Sequence, residues 1–369
     1  MPVLTKLIIQ DFRNIELQEL EFSPNLNCIS GNNGSGKTNL LDAIYYLSMT
    51  KSAIVSSDRF NYRYGTAGFS LAGTYRMENG TLSRFTLHCG DGKEKQKQMK
   101  RDDAPYTRIS EHLGVLPVVM VSPADTSLVS DSGEERRHFV NAVLSQMDRE
   151  YLVAAQQYNR LLAQRNRYLK DGAADGTLLD TLDERMDASA AVLYAKREEF
   201  VRKLVPSVAA FYAGISGGSE QVDIAYRSEL GKGPLSQLLR AVRDKDRALG
   251  YTTAGVHRDD FLFRMDGEAI RRCGSQGQQK SFLVALKFAQ YEIMKNKYGF
   301  PPMLLLDDLF DKLDINRITN LLQMVAGNDF GQIFLTDSNK TRISALVDRI
   351  TSDRAYFETC GGTFTQIDG

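Results

Sequence analysis

Only four cysteines occur in the 369 residues, Cys28, Cys89, Cys273 and Cys360, and none has C-x-x-C spacing. Their scatter argues against a zinc site and fits a reducing compartment. No apolar run is long enough to span a bilayer, and the opening Met-Pro-Val-Leu-Thr-Lys-Leu lacks a basic stretch followed by an apolar one. A cytoplasmic protein is therefore expected. Charge of one sign is not in excess either: Lys and Arg number 46, as do Asp and Glu. Net charge thus points neither toward nor away from nucleic acid, and such a partner would have to meet a local basic surface. Internal repeats and low-complexity tracts are missing as well. With 42% hydrophobic and 25% charged residues, the composition is globular, and the length exceeds one ordinary core, so two lobes are expected.

Against that background one stretch stands out. Residues 31–38 read Gly-Asn-Asn-Gly-Ser-Gly-Lys-Thr and fit G-x-x-x-x-G-K-[ST]. Gly31, Asn32, Asn33, Gly34, Ser35 and Gly36 would form a loop whose backbone N–H groups cradle phosphate, because glycine permits turns that a Cβ would block. Lys37 would reach the β- and γ-phosphates of a nucleoside triphosphate, and the Thr38 hydroxyl would ligate Mg²⁺. An apolar strand at Leu26–Ser30 leads in, and a helix with Leu40, Leu41, Ile44 and Leu47 on one face leads out, placing a helix N-terminus at the anion.

Period-2 patterns predict hairpins at Leu4–Ile9 with Ile15–Leu20, at Phe69–Tyr75 with Leu82–His88, and at Phe261–Met265 with Ala269–Arg272. Val115–Val121 reads as a strand in which Pro117 either interrupts the pairing or places it at an edge. After Pro123 helical spacing takes over at Glu134–Met147, Arg149–Lys170, Leu178–Val205 (ending before Pro206) and Leu235–Leu249. Helix Gln278–Lys295, strand Met303–Leu306, helix Ile315–Val325 and strand Gln332–Leu335 then return to strand–helix alternation, which implies a mostly parallel sheet. The expected organisation is an α/β ATPase lobe of residues 1–122 plus 251–369, with an antiparallel β subdomain, and an inserted, mainly helical lobe of residues 123–250.

Leu304-Leu305-Leu306 runs into Asp307 and Asp308. Coming after a phosphate loop, this is the form of a Walker B strand. Asp307 would hold Mg²⁺, and Asp308 would orient or deprotonate the attacking water. Lys37 and Asp307 are 270 positions apart, which a compact switch GTPase does not need and an interrupted head does. Ser275-Gln276-Gly277-Gln278-Gln279-Lys280 opens a helix just upstream; Ser275, Gly277 and Gln278 read either as a second phosphate-binding helix end or as an ordinary cap.

Taken together, these blocks resemble the ABC-type ATPases of the SMC/RecN/RecF group. The resemblance rests on Asp11-Phe12-Arg13-Asn14, GNNGSGKTNLLDAI at 31–44, VMVSPADTSLV at 119–129, Arg136-Arg137, YNRLLAQRNRYLK at 158–170, GVHRDD at 255–260, SQGQQK at 275–280 and LLLDDLFDKLD at 304–314, in order along nearly the whole chain. Leu335-Thr336-Asp337-Ser338 offers no counterpart to the switch histidine of transporter ATPases, which favours a repair-type head. The resemblance implies two ATP molecules sandwiched in a homodimer, Ser275 and Gly277 of one copy closing on the γ-phosphate held by Lys37 of the other, with Asp314 across that interface and Arg13 near the base or sugar. It also implies clamping of gapped or junction DNA, slow DNA-stimulated hydrolysis, partners similar to RecR and RecO, recombinase loading, and roles in replication restart and the SOS response.

Softer signals stay open. Arg160, Arg165, Arg167 and Lys170 are either DNA phosphate contacts or a solvated helix face. Lys93–Arg101 reads as a charged loop tip, and His257–Asp260 as either a polar network near the nucleotide or a buried ionic brace. The competing function is a nucleotide-switched ATPase dimer acting on a protein or membrane partner.

Overall fold

The computed structural model describes residues 1–90, 97–172, 175–218, 220–309, 314–326, 330–339 and 353–367. The chain divides into two compact units, Met1–Asp125 with Gln290–Gly369, and Thr126–Ala289.

The first unit contains two sheets. Strands β1 (Val3–Phe12), β2 (Ile15–Glu21), β4 (Gly68–Arg76), β5 (Leu82–Gly90), β6 (Lys97–Arg101) and β7 (Ala104–Pro105) pair antiparallel in the order β2-β1-β4-β5-β6-β7. In β4 the alternate residues Phe69, Leu71, Gly73 and Tyr75 are buried, the half-buried pleat that the period-2 pattern predicts. The charged tip expected at 93–101 is in part β6; Lys93 and Lys95 lie outside the described residues.

The second sheet runs β15 (Thr363–Ile367), β14 (Arg354–Cys360), β3 (Leu26–Ser30), β13 (Ile333–Asp337), β12 (Met303–Leu306), β8 (Val118–Val121). All but the β14–β15 pairing are parallel. Every residue of β3, β8, β12 and β13 is buried, which is why β8 and β12 read as unbroken apolar runs and why β3 and β13 are mostly apolar, with Asn27, Ser30, Thr336 and Asp337 as their buried polar residues. β8 does lie at an edge, but it starts at Val118: Pro117 has no N–H and only accepts, from Met303 N at 2.9 Å. Gln332 joins the sheets, donating to Leu4 O and Ser23 O and accepting from Leu4 N, each at 2.8 Å. Helix α1 (Lys37–Met49) follows β3, and α10 (Ile315–Ala326) precedes β13.

The second unit comprises α2 (Ser127–Ser130), α3 (Gly133–Met147), α4 (Arg149–Lys170), α5 (Gly176–Ser216), α6 (Leu235–Ala241), α7 (Arg243–Leu249), α8 (Ile270–Cys273) and the first part of α9 (Gln276–Tyr298), with a sheet of β9 (Val222–Arg227), β10 (Asp260–Met265) and β11 (Glu268–Ala269). Residues 251–289 therefore group here and not with the ATPase lobe, because β10 pairs along its whole length with β9. The third expected hairpin is cut short, with Ile270–Cys273 turning helical. Helix α5 runs through Pro206 to Ser216: the proline removes one N–H, while Leu204, Val208, Tyr212 and Ile215 keep an apolar stripe buried past it. Leu235–Leu249 breaks into two helices at Val242. No helix among the described residues is long and apolar enough to cross a membrane.

Three arginines organise this unit. Arg165, expected as a DNA contact, is fully buried: Nε donates to Asp183 at 2.7 Å, and Nη1 to Asp246 at 2.7 Å and Thr252 at 2.9 Å. Its position in α4 falls with Tyr158, Leu161 and Leu169 on the inward face, so it cannot meet DNA. Arg197 donates to Asp259 at 2.6 Å, which Tyr226 also reaches at 2.6 Å, and Arg136 grips Asp260 through Nε at 2.9 Å. The His257–Asp260 block is thus an ionic brace inside the unit. Removing one partner of such a pair leaves a buried charge unpaired, at a cost of about 3–5 kcal/mol. Urea unfolding should show Arg165→Ala destabilised by roughly that amount and Arg160→Ala by less than about 0.5 kcal/mol; equal small effects would contradict the assignment.

Candidate nucleotide site

The loop between β3 and α1 is fixed from outside. The Ser35 carbonyl accepts from Gly362 N at 2.8 Å, Thr359 Oγ1 at 3.1 Å and Asn14 Nδ2 at 3.2 Å. Gly31 has φ +155°, and a Cβ there would lie 2.6 Å from the Thr359 carbonyl. Gly36, at φ +115°, would bring a Cβ to 3.0 Å from the Asn14 side chain. Gly36 also begins α1 without a side-chain cap, and no acidic residue occupies the first turn. The first N–H groups of α1 are therefore available to an anion from outside the helix. Asn32, Asn33 and Gly34 form the exposed tip.

Lys37 is buried, and its ammonium donates to the carbonyls of Gly31 at 2.8 Å and Asn32 at 3.1 Å, over the loop itself. Thr38 Oγ1 donates to Asp307, 2.8 Å from Oδ2. Thr336 Oγ1 reaches the same carboxylate at 2.7 Å and accepts from the Asp308 amide at 3.1 Å. Burial pushes the Asp307 carboxyl up from its ordinary range; bonds from Thr336 and Thr38 and the charge of Lys37 oppose this, while Asp308 adds to it. Asp308 follows with a left-handed backbone, φ +42°, and is only partly exposed. An oxygen-only pair, one hydroxyl and one carboxylate, suits a hard cation.

The other expected residues distribute as follows. Arg13 donates to Asn61 at 3.0 Å, Asn39 at 3.2 Å, Asp42 at 2.9 Å and Ser52 at 3.2 Å, bracing the turn after β1 against α1. Ser275 and Gln278 cap one another, Ser275 N to Gln278 Oε1 at 2.7 Å and Gln278 N to Ser275 Oγ at 3.3 Å, with Ser275 exposed and Gly277 partly so in the second unit. Asp314 caps α10, accepting from Arg317 N at 3.0 Å. Arg160, Arg167 and Lys170 are exposed on α4. Sequence reasoning missed Thr336 and Thr359 as site residues; Thr336 lies just after a visible apolar run, whereas Thr359 has no local signal.

An AAA-domain family profile matches residues 6–180. The DNA replication and repair protein RecF of Phocaeicola vulgatus is 41% identical over 366 residues, covering 99% of this chain and 98% of that one. A solved structure of the recombination mediator protein RecF with ATP, in the RecFOR pathway, superposes with a TM-score of 0.88 at 28% identity, covering 100% of this chain and 98% of that one. An Smc head domain from Pyrococcus furiosus superposes at 0.59 with 15% identity, covering 100% and 96%, which shows a shared head fold.

Gly31→Ala tests the loop. A Cβ driven against the Thr359 carbonyl should displace the loop and weaken ATP binding, read by calorimetric titration, at least about tenfold, and the strain should lower the urea midpoint as well. Unchanged affinity would mean that the loop does not hold the nucleotide.

Proposed function

The chain belongs to the RecF family of DNA replication and repair proteins, and from that premise we infer that it is an ATP-switched, DNA-binding factor of recombinational repair, working in the cytoplasm. The observation that supports this most is the junction of Thr38, Asp307 and Thr336 beside an uncapped helix end. ATP phosphates would lie at the N-terminus of α1, and Lys37 would exchange two loop carbonyls for phosphate oxygens. Mg²⁺ would be held by Thr38 and Asp307: oxygens 2.8 Å apart suit neighbouring positions around a cation with bonds of about 2.1 Å. Among the described residues no three His, Cys, Asp or Glu side chains converge, so its remaining oxygens would come from phosphate and water. The cation would neutralise charge on the phosphates. Asp308 would orient the attacking water, and Thr336 would hold the Asp307 carboxylate and the Asp308 backbone by bonding one side chain and the next amide.

Hydrolysis in this reading is slow, and ATP is first a ligand that closes a dimer, because it binds the closed state better than the open one. Ser275, Gly277 and Gln278 of a second copy would complete the site, with Asp314 facing that copy. The closed dimer would hold gapped or junction DNA, using Arg160, Arg167 and Lys170 on phosphates, and would work with RecR-like and RecO-like proteins.

Binding to gapped duplex DNA across a salt series, with and without ATP, tests this. Binding should need ATP, weaken steeply with salt, and vanish in Lys37→Met. Asp308→Asn should bind DNA with ATP yet hardly hydrolyse it. Removing Arg160 or Lys170 should each lower the salt slope by about one. Binding indifferent to nucleotide would overturn the switch, and no DNA binding in any state would overturn the repair reading.

A further inference from the structure

The DNA-binding reading supplies groups for phosphates and none for bases. Along α4, Arg160, Arg167 and Lys170 fall on one exposed face, spread over about 15 Å of helix axis, while Arg165 and Leu169 turn inward. At the C-terminal end of that stripe another segment is packed. A Cβ on Gly250 would sit 3.7 Å from the Lys170 Cα, and Thr252 N donates to Asn166 of α4 at 2.8 Å. Between them Tyr251 points out, 42% exposed, although Thr252 beside it is buried. The Arg258 guanidinium lies over the Tyr251 ring, 5.7 Å from its centroid, and is itself exposed. By contrast Tyr151 and Tyr158 of α4 are buried and can stack on nothing outside.

We propose that Tyr251, with Arg258 stacked on it, is a base-stacking platform for single-stranded DNA whose backbone runs along Arg160, Arg167 and Lys170. The proposal rests on the DNA-binding reading above and adds an element to it. An aromatic ring at the end of a cationic stripe is the arrangement that holds unpaired strands, since every base offers a π-face. A base inside a duplex cannot reach such a ring, so the platform distinguishes an unpaired strand from a paired one. A protein partner fits less well: the large apolar residues exposed on α4 and beside it are Val153, Leu249 and Tyr251, with Val153 at the far end of the stripe, too few and too scattered for the apolar centre of a protein interface. Asp171, 3.8 Å from Arg167, is the carboxylate that the incoming phosphate would have to displace.

The test uses the full-length protein with ATP and single strands carrying 2-aminopurine, beside a fully duplex control. Wild type should quench the fluorophore. Tyr251→Ala should lose the quenching and bind single strands about tenfold more weakly, with duplex binding unchanged, and Tyr251→Phe should behave as wild type. If Tyr251→Ala quenches and binds as wild type does, the platform is wrong while the DNA reading stands. Equal weakening on single strands and duplex would also overturn it, since a structural or phosphate role predicts that pattern. Failure of wild type to bind any DNA would remove the DNA reading and the platform together.

Discussion

The first unit is organised around one buried carboxylate. Asp307 follows β12, its amide donates to Val121 O of β8 at 2.8 Å, and its side chain receives Thr38 from α1 and Thr336 from β13. A single residue thus ties four elements at the strand ends where the glycine-rich loop 31–36 opens. Desolvation works against the charge, and the two hydroxyls together with Lys37 make the ionised form tolerable. The same balance makes the position responsive: a bound cation would favour the ionised carboxylate and tighten what it holds. The Ser35 carbonyl does a similar job on the other side, pinned by Asn14, Thr359 and Gly362 from two distant parts of the chain.

The second unit solves a different problem. Its long helices are held in register by buried arginines, Arg165 between Asp183 and Asp246 and Arg197 against Asp259. Such pairs add little stability compared with apolar packing, but each is strongly destabilising when half is removed. Directional bonds of this kind fix where α4 and α5 meet. They also leave the outer face of α4 free to vary, and that face carries the cations and borders Tyr251.

How much of this was legible in the sequence depended on range. The glycine-rich loop between strand and helix, the apolar run into Asp307 and α4 are local patterns, and α4 starts and stops where its spacing says. Pro206 misled because one lost hydrogen bond is outweighed by a stripe of buried residues continuing beyond it. The expected return to the ATPase lobe at 251 misplaced β10, whose partner β9 lies more than thirty residues earlier. Arg165 could not be told from Arg167 by charge; only the helical phase, tied to which neighbours are apolar, separates them. Asn14 and Thr359 act through backbone contacts formed between residues far apart in the chain, for which sequence carries no local trace.

In the proposed function ATP is the ligand that would bring two copies together, with Ser275, Gly277 and Gln278 of one closing the site of the other. Sedimentation velocity of the full-length protein with ATP, ADP or no nucleotide tests this most directly. A dimer is expected with ATP alone, and a monomer in every condition for Ser275→Arg, although that variant still binds ATP. A monomer with ATP at concentrations that saturate binding, or a dimer indifferent to nucleotide, would contradict it.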